Sequence, residues 1–397
     1  MLDTLPDPSQ HSQQELDLQI ALGYALIVFK GSAAPEVGRA FARARELSYQ
    51  LPETPQLFHL LWGLWTFWLV RGEIDPTARE LAEQCLQMAQ RLRDRTLLLG
   101  AHQALATTSL FLGELLPAQE NLEQMIALYD PPQSDTLIPL YGQDLGVFCL
   151  RYVGWTKWLL GYPEQALVQS NQALAMARQL AHPFSLASAL AFDIFVHYLC
   201  REEQVVEERV EECITLSTRH GFVLWKLKGM MFRGWALTQR GQLEVGIEQI
   251  RQGLADYYAT GARAVVLLPL LLIEAHLKMG QVAEGLAGLE KTFSAIEKTG
   301  EGTIEAELYR LKGELLRMGG ANDGEVEACF RQALKIARRQ SAKSWEFRAT
   351  MSLCWLWQSQ GKREEARRML AEIYGWFTEG FDTLDLKEAR NLLEKLA

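Results

Sequence analysis

One spacing recurs along the whole chain: a small residue is followed seven positions later by a second, usually small, residue inside a helix-like window. Nine such pairs occur, namely Val37 with Ala44, Ala78 with Cys85, Ala118 with Met125, Ala166 with Ala173, Val206 with Cys213, Gly246 with Gly253, Gly285 with Thr292, Val326 with Ala333, and Ala366 with Ile373. The first members lie 41, 40, 48, 40, 40, 39, 41 and 40 residues apart. So regular a period is typical of repeat proteins, whose units bury their apolar faces against neighbouring units.

Glycine marks a turn inside many of these units. It stands five residues before the first small residue in five of them, at Gly113, Gly161, Gly241, Gly280 and Gly361. Glycine ends a helix without the steric penalty of a Cβ atom, and small residues two turns apart on the next helix permit close packing. Each unit is therefore predicted as a helical hairpin, and the array as an all-α solenoid of about nine hairpins with a period of about 40 residues.

The repeat divides the 397-residue chain into five predicted segments. These are a flexible N-terminus at 1–14, repeats 1 to 3 at 15–128, a proline-rich loop at 129–142, repeats 4 to 9 at 143–382, and a capping helix at 383–397. The loop follows from the 48-residue interval and from the prolines of YDPPQSDTLIP, and it is a candidate boundary between two stacks. Thr383 or Asp382 is the expected N-cap of the last helix, 384–396.

Composition excludes several functional classes. A formal net charge of −9 offers no general electrostatic basis for binding nucleic acid. The longest apolar run, 57–70, is shorter than the about 20 residues of a spanning helix, so no membrane insertion is predicted. The N-terminus lacks the features of a signal peptide, and six cysteines without a CxxC pair indicate a reducing compartment. A cytoplasmic location is expected.

The segment LFHLLWGLWTFWLVRG, residues 57–72, holds three tryptophans in seven positions. A membrane segment, an aromatic ligand site and a helix interior are the alternatives. Alignment of Ala78 with the other first small residues makes the segment the first helix of the second hairpin. Trp62 and Trp65 are then expected on its packing face and Trp68 toward an adjacent hairpin, which predicts solenoid interior.

The glycine and the two small positions resemble the tetratricopeptide pattern, lengthened from about 34 residues to about 40. GYPEQALVQSNQALAMA (161–177) and GEVEACFRQALKIARRQ (324–340) are similar to the second helices of such repeats. The resemblance implies a right-handed superhelix with a concave groove lined by first helices.

A second resemblance lies toward the C-terminus, in ELYRLKGELL (307–316), QSAKSWEFRA (340–349) and WFTEGFDTLDLKEARNLL (376–393). These segments resemble the C-terminal helical region of large bacterial signalling proteins that carry a class III cyclase domain and a P-loop signalling ATPase. The resemblance covers roughly residues 16–396. The chain contains no P-loop motif, so only the role of a module is implied: sensing, docking of a protein or peptide partner, or control of a signalling ATPase, a cyclase or another neighbouring effector domain.

Asp193, His197 and Cys200 form the best candidate for a catalytic site, because spacings of four and three place them on one helical face. These residue types occur in nucleophilic and metal sites. No second segment supplies an oxyanion donor or a fourth ligand, so a polar stripe at a hairpin contact is the favoured interpretation. Since the strong enzyme motifs are also missing, no catalytic residue, cofactor or metal is predicted.

Two charged segments have alternative interpretations. Residues 331–368 hold ten Lys or Arg residues against three glutamates, which indicates either a docking surface or, as favoured, a solvated helix face. EGFDTLDL, residues 379–386, gathers Glu379, Asp382 and Asp385 but lacks the alternating oxygen ligands of a calcium loop.

Ten residues on the predicted first helices are expected to face the groove: Arg151, Trp155, Trp158, Tyr198, Trp235, Glu274, Arg310, Glu314, Arg348 and Trp355. Aromatic and arginine side chains are frequent contact residues in interfaces. The predicted function is a non-enzymatic regulatory module of a bacterial signalling system that binds a protein or peptide partner in this groove. A small-ligand sensor with an aromatic pocket, and a hydrolase using Asp193, His197 and Cys200, are the alternatives.

Overall fold

Helices follow one another through almost the whole chain. The computed structural model describes residues 8–48, 54–131, 134–263 and 267–397, with the backbone alone for 8–10. Every regular element in these ranges is a helix, and none of them contains a strand. The predicted all-α class is confirmed.

Nine hairpins, two additional helices and one short π-helix (Ile74–Ala78, directly before the helix that begins at Arg79) make up the array within those ranges. The N-terminal part consists of α1 (Pro8–Lys30) with α2 (Pro35–Ser48), α3 (Pro55–Val70) with α4 (Arg79–Leu92), α5 (Arg95–Phe111) with α6 (Leu115–Leu128), and the additional helix α7 (Ser134–Tyr141). The remainder consists of α8 (Leu145–Leu159) with α9 (Pro163–Leu180), α10 (Pro183–Leu199) with α11 (Glu203–His220), α12 (Val223–Gln239) with α13 (Leu243–Ala259), α14 (Leu267–Met279) with α15 (Val282–Thr299), α16 (Glu305–Met318) with α17 (Asp323–Gln340), α18 (Lys343–Ser359) with α19 (Arg363–Tyr374), and the closing helix α20 (Leu384–Leu396).

The small residues of the repeat lie where the second helices pack most closely. Every member of the nine pairs is buried. A Cβ atom at Gly246 would lie 2.5 Å from the carbonyl oxygen of Gly234, so α13 packs directly against the backbone of α12. The five turn glycines predicted from the repeat all have positive φ, between 76° and 93°. The hairpin interpretation of the repeat is therefore confirmed.

The N-terminal segment differs from its prediction. Helix α1 begins at Pro8, inside the range 1–14 that is predicted as flexible, while 1–7 lie outside the described residues. Proline suits the first turn of a helix because its missing N–H has no helical partner there. Leu16 and Ile20, one turn apart, are both buried, so the helix has an apolar face that packs on the array.

The predicted loop 129–142 contains α7, because part of it is buried against earlier hairpins. Tyr141 is 3% exposed, packs edge-on against Trp62 with ring centroids 5.1 Å apart, and donates a hydrogen bond to the Thr96 carbonyl oxygen at 3.1 Å. The helix tolerates Pro139 at the loss of one backbone hydrogen bond. Helix α8 packs on α5 and α6, so the array continues past α7 instead of dividing into two stacks.

Successive turns of the superhelix touch each other. Helix α1 contacts α12 and α8 contacts α18, so a hairpin meets the fifth hairpin after it. The Arg263 N–H donates to the Val70 carbonyl oxygen at 2.8 Å. The Gly302 N–H donates to the Phe111 carbonyl oxygen, also at 2.8 Å. These contacts close the first helices around a narrow interior.

The tryptophan-rich segment belongs to α3. Trp62 and Trp65 are each 2% exposed, and Trp65 Nε1 donates to Thr108 Oγ1 at 2.9 Å. Trp68 is half-buried beside Phe67. The prediction of solenoid interior is confirmed, and no helix of the described ranges is long and apolar enough to span a membrane.

Helix α20 ends the array. The Leu386 N–H donates to the Thr383 side chain, so Thr383 is the N-cap, as expected. Leu386, Leu392 and Leu396 are buried in a cluster with Phe377, while Leu393 is partly buried against it. The leucine face thus covers the apolar end of the last hairpin.

Candidate functional site

Two neighbouring compartments lie inside the superhelix. The aromatic cavity has a volume of about 150 Å³ and includes Phe111, Trp155, Phe192, Phe195, Trp225 and Lys228. The charged groove has a volume of about 340 Å³ and includes Tyr198, Trp235, Glu274, Arg310, Arg348 and Trp355. These six groove residues are all among the ten predicted positions, so the structure brings most of the predicted set together.

Helices α10 and α12 line both compartments. On α10, Phe195 lines the aromatic cavity and Tyr198, almost one turn later, lines the charged groove. On α12, Phe232 and Trp235 follow the same order. The Tyr198 ring centroid lies 5.5 Å from that of Phe232 and 5.2 Å from that of Trp235. The two compartments are therefore adjacent along these helices, with aromatic rings between them.

Opposite charges pair in and around the charged groove. Arg310 Nη2 donates to Glu307 Oε1 at 2.6 Å, and Glu307 is 1% exposed. Arg348 Nε donates to Asp385 Oδ2 at 2.9 Å, and its Nη2 donates to the Leu199 carbonyl oxygen at 2.7 Å. Because Asp385 belongs to α20, the closing helix also completes one side of the groove.

Glu274 differs from the other groove carboxylates. It accepts a hydrogen bond from the Tyr198 hydroxyl at 2.9 Å. Burial, assisted by the nearby charge of Glu307, raises the pKa of Glu274 to about 7, although Arg348 acts in the opposite direction. The charge of the groove therefore changes near neutral pH.

One further predicted groove position lines the aromatic cavity, and a second contacts its rings without lining it. Trp155 lines it and packs edge-on against Phe195, with ring centroids 5.1 Å apart. The guanidinium of Arg151 lies 4.5 Å from the centroid of Phe192, and Arg151 is 4% exposed. Burial lowers the pKa of Arg151 to about 10, so it remains a cation at neutral pH.

Lys228 lies at the aromatic cavity but is absent from the sequence-based candidates. Its Nζ is 4.8 Å from the ring centroid of Trp225 and 5.8 Å from that of Phe192. Burial, with a smaller effect of Arg151, lowers the pKa of Lys228 to about 7. A signal for it exists in the sequence, since Trp225, Lys228 and Phe232 follow helical spacing within an aromatic-rich first helix.

The last two predicted positions, Trp158 and Glu314, line neither of these compartments. Trp158 is 2% exposed and packs edge-on against Trp345, with ring centroids 4.7 Å apart. Glu314 accepts a hydrogen bond from Arg317 at 2.9 Å. Trp158 is thus covered by the next superhelical turn, which the repeat period alone does not reveal.

Asp193, His197 and Cys200 are buried at a contact between hairpins. Asp193 accepts hydrogen bonds from Ser170 Oγ at 2.7 Å and from Arg209 Nε at 3.0 Å. These partners lie on α9 and α11, so Asp193 connects its own helix to the second helices on either side. His197 Nε2 lies 3.5 Å from Asp193 Oδ1.

The protonation of this cluster does not favour nucleophilic chemistry. Burial by itself lowers the pKa of His197, but Asp193 and Glu202 outweigh it and raise that pKa to about 9. Burial raises the pKa of the Cys200 thiol, which therefore stays protonated at neutral pH. A reactive cysteine requires the thiolate. The described ranges also contain no group of three His, Cys, Asp or Glu residues suited to a metal ion.

The basic residues of 331–368 are dispersed over α17, α18 and α19. Arg338 and Lys343 both pair with Glu346, at 2.7 Å each. Arg348 lies instead in the charged groove. Glu346 is buried, so these two ion pairs are not those of a fully solvated helix face.

The acidic residues of 379–386 are separated from one another. Glu379 accepts a hydrogen bond from the Gln165 backbone N–H at 3.0 Å. Asp385 lines the charged groove, while the Asp382 side chain is fully exposed. Their different partners agree with the absence of a calcium-loop pattern.

No family model matches the chain, and no curated protein matches it. Solved structures with a similar fold do exist. A Rap protein complexed with competence and sporulation factor has a TM-score of 0.63 and 9% identity, over 98% of this chain and 100% of that one. NprR in complex with its cognate peptide NprX has a TM-score of 0.54 and 10% identity, over 97% and 99%.

A third structure is the Rap conjugation gene regulator of the plasmid pLS20 in complex with the Phr* peptide. Its TM-score is 0.54 at 10% identity, over 96% of this chain and 95% of that chain. At such low identity these similarities show the fold alone. The chain has the fold of a tetratricopeptide-like solenoid, as predicted from the repeat.

Proposed function

We propose that this protein is a regulatory interaction module that binds a peptide, or an extended segment of a partner protein, in the charged groove. The observation that carries the proposal is the convergence of α10, α12, α14, α16, α18 and α20 on one space of about 340 Å³. Two proteins of similar fold are described in complex with peptides, which supports the same class of ligand for this chain.

The lining of the charged groove suits an extended chain. Trp355 is 39% exposed and offers an apolar surface at the groove. Lys278 is exposed and donates to the Gln239 side chain at 2.7 Å, while Glu203 supplies an exposed carboxylate nearby. Groups of both signs beside aromatic rings match the mixed polar and apolar groups of a peptide.

Affinity selection from a synthetic heptapeptide library of random sequence on the immobilised protein tests this proposal. The selected peptide is then titrated by calorimetry against the wild type, Trp355→Ala and Lys278→Ala. We expect each substitution to weaken binding by about tenfold or more, because contacts at the centre of an interface dominate affinity.

Trp357→Ala is the matched control, since Trp357 is on the same helix but lines neither compartment. It is expected to keep the affinity even if it lowers stability. Failure to select any peptide, or equal affinity for all variants, contradicts the proposal.

We further propose that the bound state regulates a signalling effector, of the ATPase or cyclase kind carried by the bacterial proteins that segments 307–316, 340–349 and 376–393 resemble. No catalytic step is assigned to this chain itself. Crosslinking and mass spectrometry of the complexes formed in the native host identify the effector. Repeated recovery of partners that contain no signalling domain contradicts this part of the proposal.

A small-ligand sensor is the second candidate function, and the aromatic cavity is the observation that favours it. A metabolite that raises the melting temperature in the absence of any peptide supports it, because a ligand that binds only the folded state stabilises that state. The Trp155→Ala variant should lose this stabilisation, whereas Trp355→Ala should keep it.

A further inference from the structure

The aromatic cavity has room for one compact apolar group. Its volume of about 150 Å³ is comparable to that of a cavity that binds benzene. It is smaller than the about 300–1,000 Å³ of pockets for drug-sized ligands. The rings of Trp155, Phe192, Phe195 and Trp225 form its walls. One apolar amino-acid side chain fits such a space.

Lys228 is the one charged side chain among the described residues that line this cavity. Its ammonium nitrogen lies over the rings of Trp225 and Phe192. The charged and titratable groups that act on it are Arg151 and Cys213, and no carboxylate of the described chain contributes. The cavity therefore presents a cation without a protein counter-ion.

Arg151 is a second cation beside the same rings and, unlike the half-buried Lys228, it is buried. Its guanidinium lies 5.6 Å from the ring centroid of Trp225 and 4.5 Å from that of Phe192. Nη2 donates to Gln143 at 3.0 Å, whereas Nε and Nη1 are buried without a hydrogen-bond partner. A buried guanidinium with unsatisfied N–H groups is unfavourable, so an anion bound beside it would be stabilised.

The charged groove is within reach of this cavity for an extended chain. Lys228 and Trp235 are seven residues apart on α12, a rise of about 10 Å. An extended peptide covers that distance in about three residues. A peptide with its last residue in the cavity is therefore long enough for its preceding residues to reach the groove.

We infer that the aromatic cavity binds the C-terminal residue of a peptide, with its apolar side chain among the rings and its free carboxylate beside Lys228 and Arg151. This inference rests on the proposed function, because the rest of the same peptide occupies the charged groove. A terminal residue combines a carboxylate and an apolar side chain within one residue, as the cavity requires. An internal Asp or Glu brings the charge without an apolar group of that size.

The test compares pentapeptide libraries that end in Phe or Leu, each synthesised as the free acid and as the C-terminal amide. The best free-acid peptide and its amide are titrated by calorimetry. We expect the acid to bind the wild type about tenfold or more tightly than the amide. Lys228→Met should remove this difference, Lys228→Arg should retain it, and Lys226→Met, on the same helix outside the cavity, is the matched control.

Circular dichroism melting first establishes that Lys228→Met is folded. Equal affinity of acid and amide for the wild type, with binding still dependent on Trp355, overturns this inference and leaves the proposed function standing. Absence of binding by every peptide removes the proposed function and this inference together. If 3-phenylpropionate stabilises the protein while no peptide shows a preference for the free acid, the cavity takes small carboxylates and the assignment to a peptide end is wrong.

Discussion

The aromatic cavity and the charged groove share helices α10, α12 and α14, but their charged side chains are paired differently. In the groove, Arg348 is paired with Asp385 at 2.9 Å. At the cavity, Lys228 and the neighbouring Arg151 lie beside aromatic rings, without a carboxylate partner among the described residues. The arginine of the groove has a carboxylate partner before any ligand binds, whereas the cations at the cavity have none in the described chain. We therefore expect binding in the cavity to depend on a negatively charged ligand group. The groove instead offers a polar surface whose charges are already paired.

The ion pair of Arg348 should give the largest effect on stability. Arg348→Met leaves the Asp385 carboxylate without one of its two arginine partners and exposes the Trp158 and Trp345 rings that Arg348 covers. We expect the free energy of unfolding to fall by about 3 kcal/mol, measured by urea denaturation. Arg251→Met, which removes an exposed ion pair, is the control and should change little. An equal fall in the free energy of unfolding for both variants would show that the ion pair in the groove contributes no more than an exposed one.

Removal of the cation at the cavity should change the free energy of unfolding in the opposite direction. Lys228→Met removes a cation without a counter-ion, so the unfolding free energy at pH 7 should rise by about 2 kcal/mol. The folded-state pKa of about 7 lies below the ordinary value of 10.5. The unfolded wild type therefore binds more protons between pH 7 and 10.5, and its stability relative to the variant should increase over that window. Urea denaturation at pH 7 and pH 10 measures this change. A destabilised variant at pH 7 would show that Lys228 has a favourable partner in the folded protein.

Glu274 should give a smaller, pH-dependent effect in the groove. Its folded-state pKa of about 7 lies above the ordinary value of 4.5, so the folded state keeps the proton longer and wild-type stability should fall between pH 4.5 and 7. Glu274→Gln still accepts from Tyr198 and should lessen this fall by about 1 kcal/mol. Thermal or chemical denaturation across the window measures it. Glu203→Gln, at an exposed position in the same groove, is the control, and an identical pH profile for both variants would refute the role of burial.

Substitution of Cys200 should have the smallest effect on ligand binding in either compartment. Because burial raises the pKa of its thiol, iodoacetamide at pH 7.5 should modify Cys200 only after unfolding, as detected by mass spectrometry. Cys200→Ala should leave peptide affinity unchanged within about twofold. Rapid labelling of the folded protein, or loss of function in this variant, would revive the hydrolase alternative.

The sequence predicted the hairpins well because their determinants are local. The pair Gly246 and Gly253 marks direct contact of α13 with α12, and Gly241 adopts the positive φ that ends the preceding helix. The prediction of a loop at 129–142 was wrong for Ser134–Tyr141, which forms α7 with Leu137 and Tyr141 buried although prolines occur in this segment. Tyr141 packs against Trp62, which is far from it in the sequence, and local sequence patterns do not predict such a contact.

Only part of the candidate site could be predicted from the sequence. Helical register placed Tyr198, Arg310 and Arg348 at the groove, because first helices of a solenoid face inward. Lys228 was missed, since a lysine on a helix is usually exposed and its desolvation depends on rings from other hairpins.

By itself, the sequence determined the class, the repeat, the turns and part of the inward face of hairpins 4 to 9, because these depend on contacts within about 40 residues. Only the tertiary structure decided how tightly the superhelix closes. Contacts between a hairpin and the fifth one after it, such as Trp158 with Trp345, cover part of the expected groove, and the aromatic cavity and the charged groove that remain differ in chemistry. Small rotations between neighbouring hairpins accumulate along the array, so their sum depends on the packing of every interface.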